Sequence, residues 1–389
     1  MISYSHTVPD RNWSYPTAIK FGVGRISELA EHAKAVGLKA PLLVTDKALA
    51  TLPITAAALD VLEAAGLGRA MFSEVDANPS EINMVAGIAT YIAGKHDGVI
   101  CFGGGSALDL GKMIALMAGQ KKTLSVWDLE DVDDWYTRAD PRKIAPIIAV
   151  PTTAGTGSEV GRAGVLTNSL THKKKIIFHP ALMPRVTICD PALTVGMPKF
   201  ITAGTGMDAL AHCLEAYCSP FYHPMSQGIA LEGMRLVFEN LPKAYRQPDH
   251  LQSRAHMMSA AAMGAVAFQK GLGAIHSLSH PIGAMYNTHH GTTNAVVMPM
   301  VLDFNRKAVK DRLAAAAAYC GIKSGFNGFT KRIMDLREEL HIPANLTKLG
   351  IQAPDLDLLT EMALEDPSCG GNPVKMTRKN TKALYESCF

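Results

Sequence analysis

The chain lacks any uninterrupted apolar run long enough to cross a bilayer, which excludes a membrane-spanning reading. Its N-terminus, MISYSHTVPDRNWSYP, lacks the apolar stretch of a signal peptide, and a cytoplasmic protein is expected. There is no CxxC pair to hold zinc through thiolates. The seven cysteines are scattered and odd in number, which predicts reduced thiols rather than a disulfide framework. A large excess of positive over negative charge is also lacking: the net charge is +3, and the only compact basic run is Lys173, Lys174 and Lys175. A nucleic-acid binder presents a basic stripe, so nucleic acid is excluded as a partner. Internal repeats and low-complexity linkers are absent as well.

What is present fits a globular enzyme, with 48% hydrophobic and 19% charged residues over 389 positions, a length that predicts two domains. From about residue 20 to 195, short β-rich runs alternate with helical stretches: residues 40–45 (APLLVT), 97–102 (DGVICF) and 143–150 (KIAPIIAV). That alternation predicts a parallel sheet flanked by helices. Beyond about residue 198 come long Ala-, Met- and Leu-rich segments, such as SRAHMMSAAAMGAVAF, with no convincing strand, and this half reads as all-helical. Three breakers in CDPALTVGMP place the boundary near residue 195, giving an α/β domain over 1–195 and a helical domain over 196–389, closely joined.

Asp208 and His212 in GMDALAH lie four residues apart in an apolar, unbroken segment, so in a helix they share one face and can grip one cation. His276 and His280 share a second helical face, which Pro281 is expected to end or bend. His290 precedes Gly291, read as a tight turn that leaves the imidazole at the mouth of the next helix. Taken singly, each of these residues reads as an ordinary polar position. Together, Asp208, His212, His276 and His290 supply one carboxylate and three imidazoles, a donor set suited to Fe(II) or Zn(II) with a position left for a substrate oxygen.

DGVICF runs directly into Gly103, Gly104, Gly105 and Ser106 and then a helical ALDLGKMIALMAG. A strand, a glycine turn and a helix N-terminus form a phosphate cradle, although a buried turn needs glycine for steric reasons alone. The loop PTTAGTGSE, with the hydroxyls of Thr152, Thr153, Thr156 and Ser158, follows another apolar strand, and two such loops point to a dinucleotide. Asp46, closing the strand APLLVT, would accept hydrogen bonds from ribose hydroxyls and repel a 2′-phosphate, favouring NAD over NADP. Here the acid precedes the glycines, the reverse of the usual fingerprint order.

With GGGSALDLGK, PTTAGTGSEV, GMDALAH and HSLSHPIGAMYNTHHG in that order, the sequence resembles the iron-containing (group III) alcohol dehydrogenases. The likeness runs from WSYPTAIKFGVG through ANPSEINMVAG and ICDPALTVGMP to GGNPVKMT, nearly the whole chain. It implies a Rossmann-like domain followed by a helical metal-binding domain, the dehydroquinate synthase-like fold. It also implies metal ligation by Asp208, His212, His276 and His290, with His280 relaying protons beside the substrate. Dinucleotide contacts would fall on Asp46, Asn78, Gly104, Gly105, Ser106, Asp109, Thr152, Thr153 and Lys174. A homo-oligomer, a dimer or higher, is implied too, as is reversible hydride transfer between an alcohol and NAD.

Two departures stand out. Gly161 occupies a place often held by threonine, and Arg162 and His289 add expected positive charge, which would suit a hydroxy acid or its semialdehyde. Two rivals share the plan. A dehydroquinate synthase-like lyase would use NAD without net turnover, but it has a different metal set and needs a Lys/Arg cluster that the helical half does not show. A metal-independent reductase of the maleylacetate reductase type is opposed by the complete ligand set.

Overall fold

The apolar runs anticipated as strands pair side by side because they bury both faces. In the computed structural model, which describes residues 11–13, 17–130 and 132–389, the strands are β1 (Arg11–Trp13), β2 (Ala18–Phe21), β3 (Leu42–Val44), β4 (Met71–Phe72), β5 (Val99–Gly103), β6 (Ile147–Pro151), β7 (Ala163–Thr167), β8 (Lys174–Phe178) and β9 (Val186–Cys189). Seven form one sheet in the order β1-β2-β9-β6-β5-β3-β4, parallel throughout except for the antiparallel edge strand β1. β7 and β8 form a separate antiparallel hairpin. Ser14, Tyr15 and Pro16 of the early motif lie outside the described residues.

Every residue of β3, β5 and β6 is buried, and side chains alternate between two cores. Leu42, Val44, Val99, Cys101, Ile147 and Ala149 pack on one face with Leu108, Met113 and Ile114. Leu43, Ile100, Phe102, Ile148 and Val150 pack on the other with Leu29, Leu59 and Leu62. Each of the Val, Leu, Ile, Phe and Met side chains among them contributes about 1.5–3 kcal/mol relative to exposure. The covering helices are α1 (Leu29–Ala35), α2 (Lys47–Ala50), α3 (Pro53–Ala64), α4 (Glu81–Ala93) and α5 (Gly105–Met117). The strand order reverses between β3 and β5, and ligands of open α/β sheets bind outside the carboxyl ends of strands at such a reversal.

The chain divides into two compact units, Met1–Thr153 with Gly157–Val195, and Ala154–Thr156 with Gly196–Phe389. The second is built from α6 (Lys199–Cys218), α7 (Pro224–Arg246), α8 (Leu251–Ala267), α9 (Ala274–Tyr286), α10 (His290–Tyr319), α11 (Gly325–Glu339), α12 (Leu356–Glu365) and α13 (Arg378–Ser387). α6 is its axis: Thr202 through Cys218 are all buried, as expected of a helix apolar around its circumference. Its last carbonyls are satisfied by two cations. Lys270 Nζ donates to the carbonyls of Tyr217 and Ser219, and Arg312 Nη1 donates to those of Tyr217, Cys218 and Ser219.

Two local expectations are corrected. Pro281 does not end its helix, which runs on to Tyr286 and stops where Asn287 turns left-handed at φ 52°. Losing one donor does not outweigh the packing of a helix whose face is buried. Gly291 makes no turn either, but lies inside α10, where a Cβ would sit 2.1 Å from the Gly204 carbonyl of α6. The glycine permits the close helix crossing that carries His290 over Asp208. All seven cysteines are free, and no helix among the described residues is long and apolar enough to cross a membrane.

Candidate metal centre and cofactor loops

Three helices of the second unit bring the predicted donors together. Asp208 Oδ1 lies 3.8 Å from His212 Nε2, 3.7 Å from His276 Nε2 and 3.5 Å from His290 Nε2. Asp208, His276 and His290 each present a ligand atom within 4.8 Å of the others; His212, one turn along α6, lies just outside that set and stacks its ring on His276 at 4.7 Å. Donors about 2.1 Å from a shared ion in a tetrahedron lie roughly 3.4 Å apart, so Asp208, His276 and His290 fit a divalent cation, with His212 Nε2 near enough to Asp208 to be a fourth candidate. Side-chain exposure is 3% for Asp208, 7% for His212 and 1% for His276, but 25% for His290. The cluster is therefore reached from the His290 side.

Burial alone would raise the Asp208 carboxyl, but the facing imidazoles of His212, His290 and His276 hold it well below the usual range. Burial pulls His212 down to about 4. His276 is also buried, yet the carboxylates of Glu215 and Asp208 lift it to about 9. Glu215 was not anticipated, although 208, 212 and 215 fall on one face of α6 at i, i+4 and i+7. Its Oε2 lies 2.6 Å from His276 Nδ1, and its Oε1 accepts the Ile275 N–H that opens α9. A carboxylate only accepts, so Nδ1 keeps its proton, and once the second proton is lost Nε2 is the nitrogen left to face Asp208.

Asn294 was missed too. It lies four residues after His290, is fully buried, and its Nδ2 donates to Asp208 Oδ1 at 2.8 Å with His290 Nε2 at 3.1 Å and His276 Nε2 at 3.3 Å. Its Oδ1 is buried with no hydrogen-bond partner, a polar group oriented by the cluster rather than by the fold. His280 stands beside the donors: its ring stacks on His290 at 5.2 Å, and its Nδ1 meets Asp366 Oδ2 at 2.7 Å. His289, read as a source of positive charge, also serves the start of α10. His289 Nδ1 accepts the Thr292 N–H as the N-cap of α10. Arg162 is exposed, its guanidinium 5.2 Å over the Phe178 ring.

In the first unit, Asp46, Gly104, Gly105, Ser106, Thr152 and Thr153 of the predicted cofactor residues follow the carboxyl ends of β3, β5 and β6. Gly103 ends β5 at φ 152°, and Gly104 is the N-cap of α5 with no side chain to cap it, leaving the first N–H groups of Gly105 and Ser106 for an anion. The Thr152 N–H donates to the Gly103 carbonyl, and the Thr153 methyl lies 3.2 Å from where a Cβ on Gly104 would sit, so the two loops touch. Asp46 caps α2, its Oδ1 accepting the N–H groups of Ala48 and Leu49. Asn78 sits between Ala77, whose carbonyl accepts the Ser106 hydroxyl, and Pro79, whose carbonyl accepts the Thr167 N–H.

Asp109 has an internal role. Its Oδ1 accepts the Ser158 hydroxyl at 2.6 Å and its Oδ2 the Val165 N–H at 3.1 Å. Lys112, fully buried one turn later, donates to Ser158 O, Ser158 Oγ and Ala163 O. This pair clips the second loop to α5 from inside. Burial raises Asp109 and lowers Lys112, each opposed by the charge of the other. Lys174 opens β8, and its charge also bears on Asp109. A Cβ at Gly161 would meet nothing closer than 3.5 Å, so the missing side chain leaves room rather than relieving a clash.

Comparison with known proteins covers the same span as these features. Residues 16–191 match the model of iron-containing alcohol dehydrogenase, and residues 202–389 match that of the Fe-containing alcohol dehydrogenase family, C-terminal. The chain is 37% identical over 382 residues to 4-hydroxybutyrate dehydrogenase of Cupriavidus necator, covering 96% of this chain and 98% of that one. It is 34% identical over 396 residues to 1,3-propanediol dehydrogenase of Klebsiella pneumoniae, covering 99% of each. A crystal structure of 1,3-propanediol oxidoreductase superposes with a TM-score of 0.90 at 33% identity, covering 99% of this chain and 100% of that one.

Proposed function

The chain belongs to the iron-containing alcohol dehydrogenase family, and from that membership we propose that it interconverts a short alcohol and its aldehyde with NAD, one Fe(II) or Zn(II) being held by Asp208, His212, His276 and His290. The observation that carries this reading is the convergence of one carboxylate and three imidazoles from α6, α9 and α10 on Asp208 Oδ1 at 3.5–3.8 Å. A cation there would act as a Lewis acid on the substrate oxygen.

The protein's own groups do the rest. Glu215 and Asn294 orient the donors, while His280, beside the exposed edge at His290, takes the hydroxyl proton. Gly104, Gly105, Ser106, Thr152 and Thr153 hold the pyrophosphate on backbone N–H groups and hydroxyls, and Asp46 keeps an oxygen for a ribose hydroxyl. Asp109 and Lys112 shape the loop that Thr152 and Thr153 belong to, and Asn78 and Lys174 flank it. The chain acts as a homo-oligomer in the cytoplasm. Nothing in the donor set favours the metal-independent rival.

The similarity to a 4-hydroxybutyrate dehydrogenase supports a terminal hydroxy acid as substrate, and that to a 1,3-propanediol dehydrogenase supports a diol. Rates of NAD reduction on 4-hydroxybutyrate, 1,3-propanediol and 1-butanol by iron-loaded protein test the reading. Metal-dependent NADH formation with any of them is expected. No NADH from any of the three, with one iron bound per chain, would overturn it.

A further inference from the structure

α9 carries two histidines one turn apart, and each has its Nδ1 held by a carboxylate from a different element. His276 Nδ1 meets Glu215 Oε2 of α6 at 2.6 Å. His280 Nδ1 meets Asp366 Oδ2 at 2.7 Å, where Asp366 caps the short 3-10 turn Pro367–Gly371. When neutral, the two imidazoles are thereby fixed in the same tautomer, with Nδ1 protonated and the lone pair on Nε2. Their surroundings then divide the work. His276 Nε2 lies 3.7 Å from Asp208 Oδ1 within the donor set, whereas the His280 ring stacks nearly parallel to His290 at 5.2 Å and 20°, beside that set.

We propose that Asp366 is the positioning residue that makes His280 a base, an inference that rests on the alcohol dehydrogenase reading above. Asp366 is itself rigidly placed: its side chain is 7% exposed, and its Oδ1 accepts the Ser368 N–H at 2.9 Å, leaving Oδ2 for the imidazole. In the oxidation step the hydroxyl proton passes to His280 Nε2 while the hydride on the same carbon passes to the nicotinamide ring. The products are a carbonyl, NADH and an imidazolium held by Asp366, which returns its Nε2 proton to solvent. With the opposite tautomer Nε2 would carry a hydrogen and could not accept one. The carboxylate excludes that tautomer, because it cannot donate to Nδ1.

The discriminating experiment is a double-mutant cycle on iron-loaded enzyme with 4-hydroxybutyrate and 1,3-propanediol, combining Asp366→Asn with His280→Ala. The carboxamide has nearly the same shape as the carboxylate but can present an N–H to Nδ1. Asp366→Asn is expected to lower kcat about 10²-fold, the range of general-base catalysis, with KM for NAD, bound iron and melting temperature unchanged. Its solvent deuterium isotope effect on kcat should rise as proton transfer becomes slow. In the His280→Ala background the same substitution should cost less than about 2-fold, because Asp366 has nothing left to position. Asp366→Glu, which keeps the charge, should recover part of the rate. The proposal is overturned by wild-type kcat in Asp366→Asn, or by an equal loss with and without His280, which would make Asp366 merely structural. Absence of metal-dependent NAD reduction by the wild-type enzyme would overturn the functional reading itself, and this inference with it.

Discussion

The helical unit and the α/β unit assemble their sites by opposite means. In the helical unit the chemistry is in side chains: Asp208, His212, His276 and His290 are buried or half-buried polar groups that the core would not tolerate without partners or an ion. In the α/β unit it lies in the backbone, in the uncapped start of α5 and the glycines before it, while the neighbouring polar side chains Asp109 and Lys112 face inward and hold the loop. Side-chain substitution should therefore destroy the first site and only loosen the second.

The largest effect is expected at the donors. His276→Ala removes a donor whose side chain is only 1% exposed and should abolish metal binding with a loss of about 10³-fold or more in turnover, checked by metal analysis beside kcat. Glu215→Gln keeps every ligand but no longer enforces the Nδ1 tautomer of His276. A loss of about 10- to 100-fold in metal affinity should follow, read by competition with a chelator.

Smaller losses belong to the other unit. Asp109→Asn exchanges a carboxylate that accepts two hydrogen bonds for an amide that accepts at one atom only, and should raise KM for NAD about 10-fold without changing bound metal. Equal loss of metal in this variant would break the contrast between the units. Smallest in activity is Glu159→Gln. Burial lifts the Glu159 carboxyl from 4.5 to about 7, so its protonated form stabilises the folded state below about pH 4.5, and that contribution is lost as the pH rises through about 7. The neutral glutamine should therefore stabilise the protein by roughly 2 kcal/mol at about pH 8 and change little at about pH 4.5, measured by denaturant unfolding at both.

The same contrast governs what was legible in the sequence. The strands over β3, β5 and β6 declare themselves because burial on both faces demands continuous apolar runs, and the glycine turn after β5 because a strand must pass into a helix there. The donors were legible because histidine and aspartate at helical spacing have little reason to lie in apolar segments. Partners at long separation were not. Asp366 joins His280 across 86 positions and Glu215 joins His276 across 61; the spacing of Glu215 from Asp208 and His212 places it on their face, but no local pattern names its partner or marks Asp366. The β7–β8 hairpin was missed because its strands are only half-buried and carry Lys174 and Lys175. The capping role of His289 was not legible, because a cap is recognised only once the helix start is seen.

The central claim, that the donors of α6, α9 and α10 hold one ion on which the alcohol chemistry depends, is tested most directly by anaerobic Fe(II) titration of chelator-stripped protein, following bound iron and NAD reduction together in the wild type and in Asp208→Asn. The account predicts activity rising in step with iron to one ion per chain in the wild type, and neither in the variant. Full activity in stripped protein, or one tightly bound iron per chain in Asp208→Asn, would contradict it.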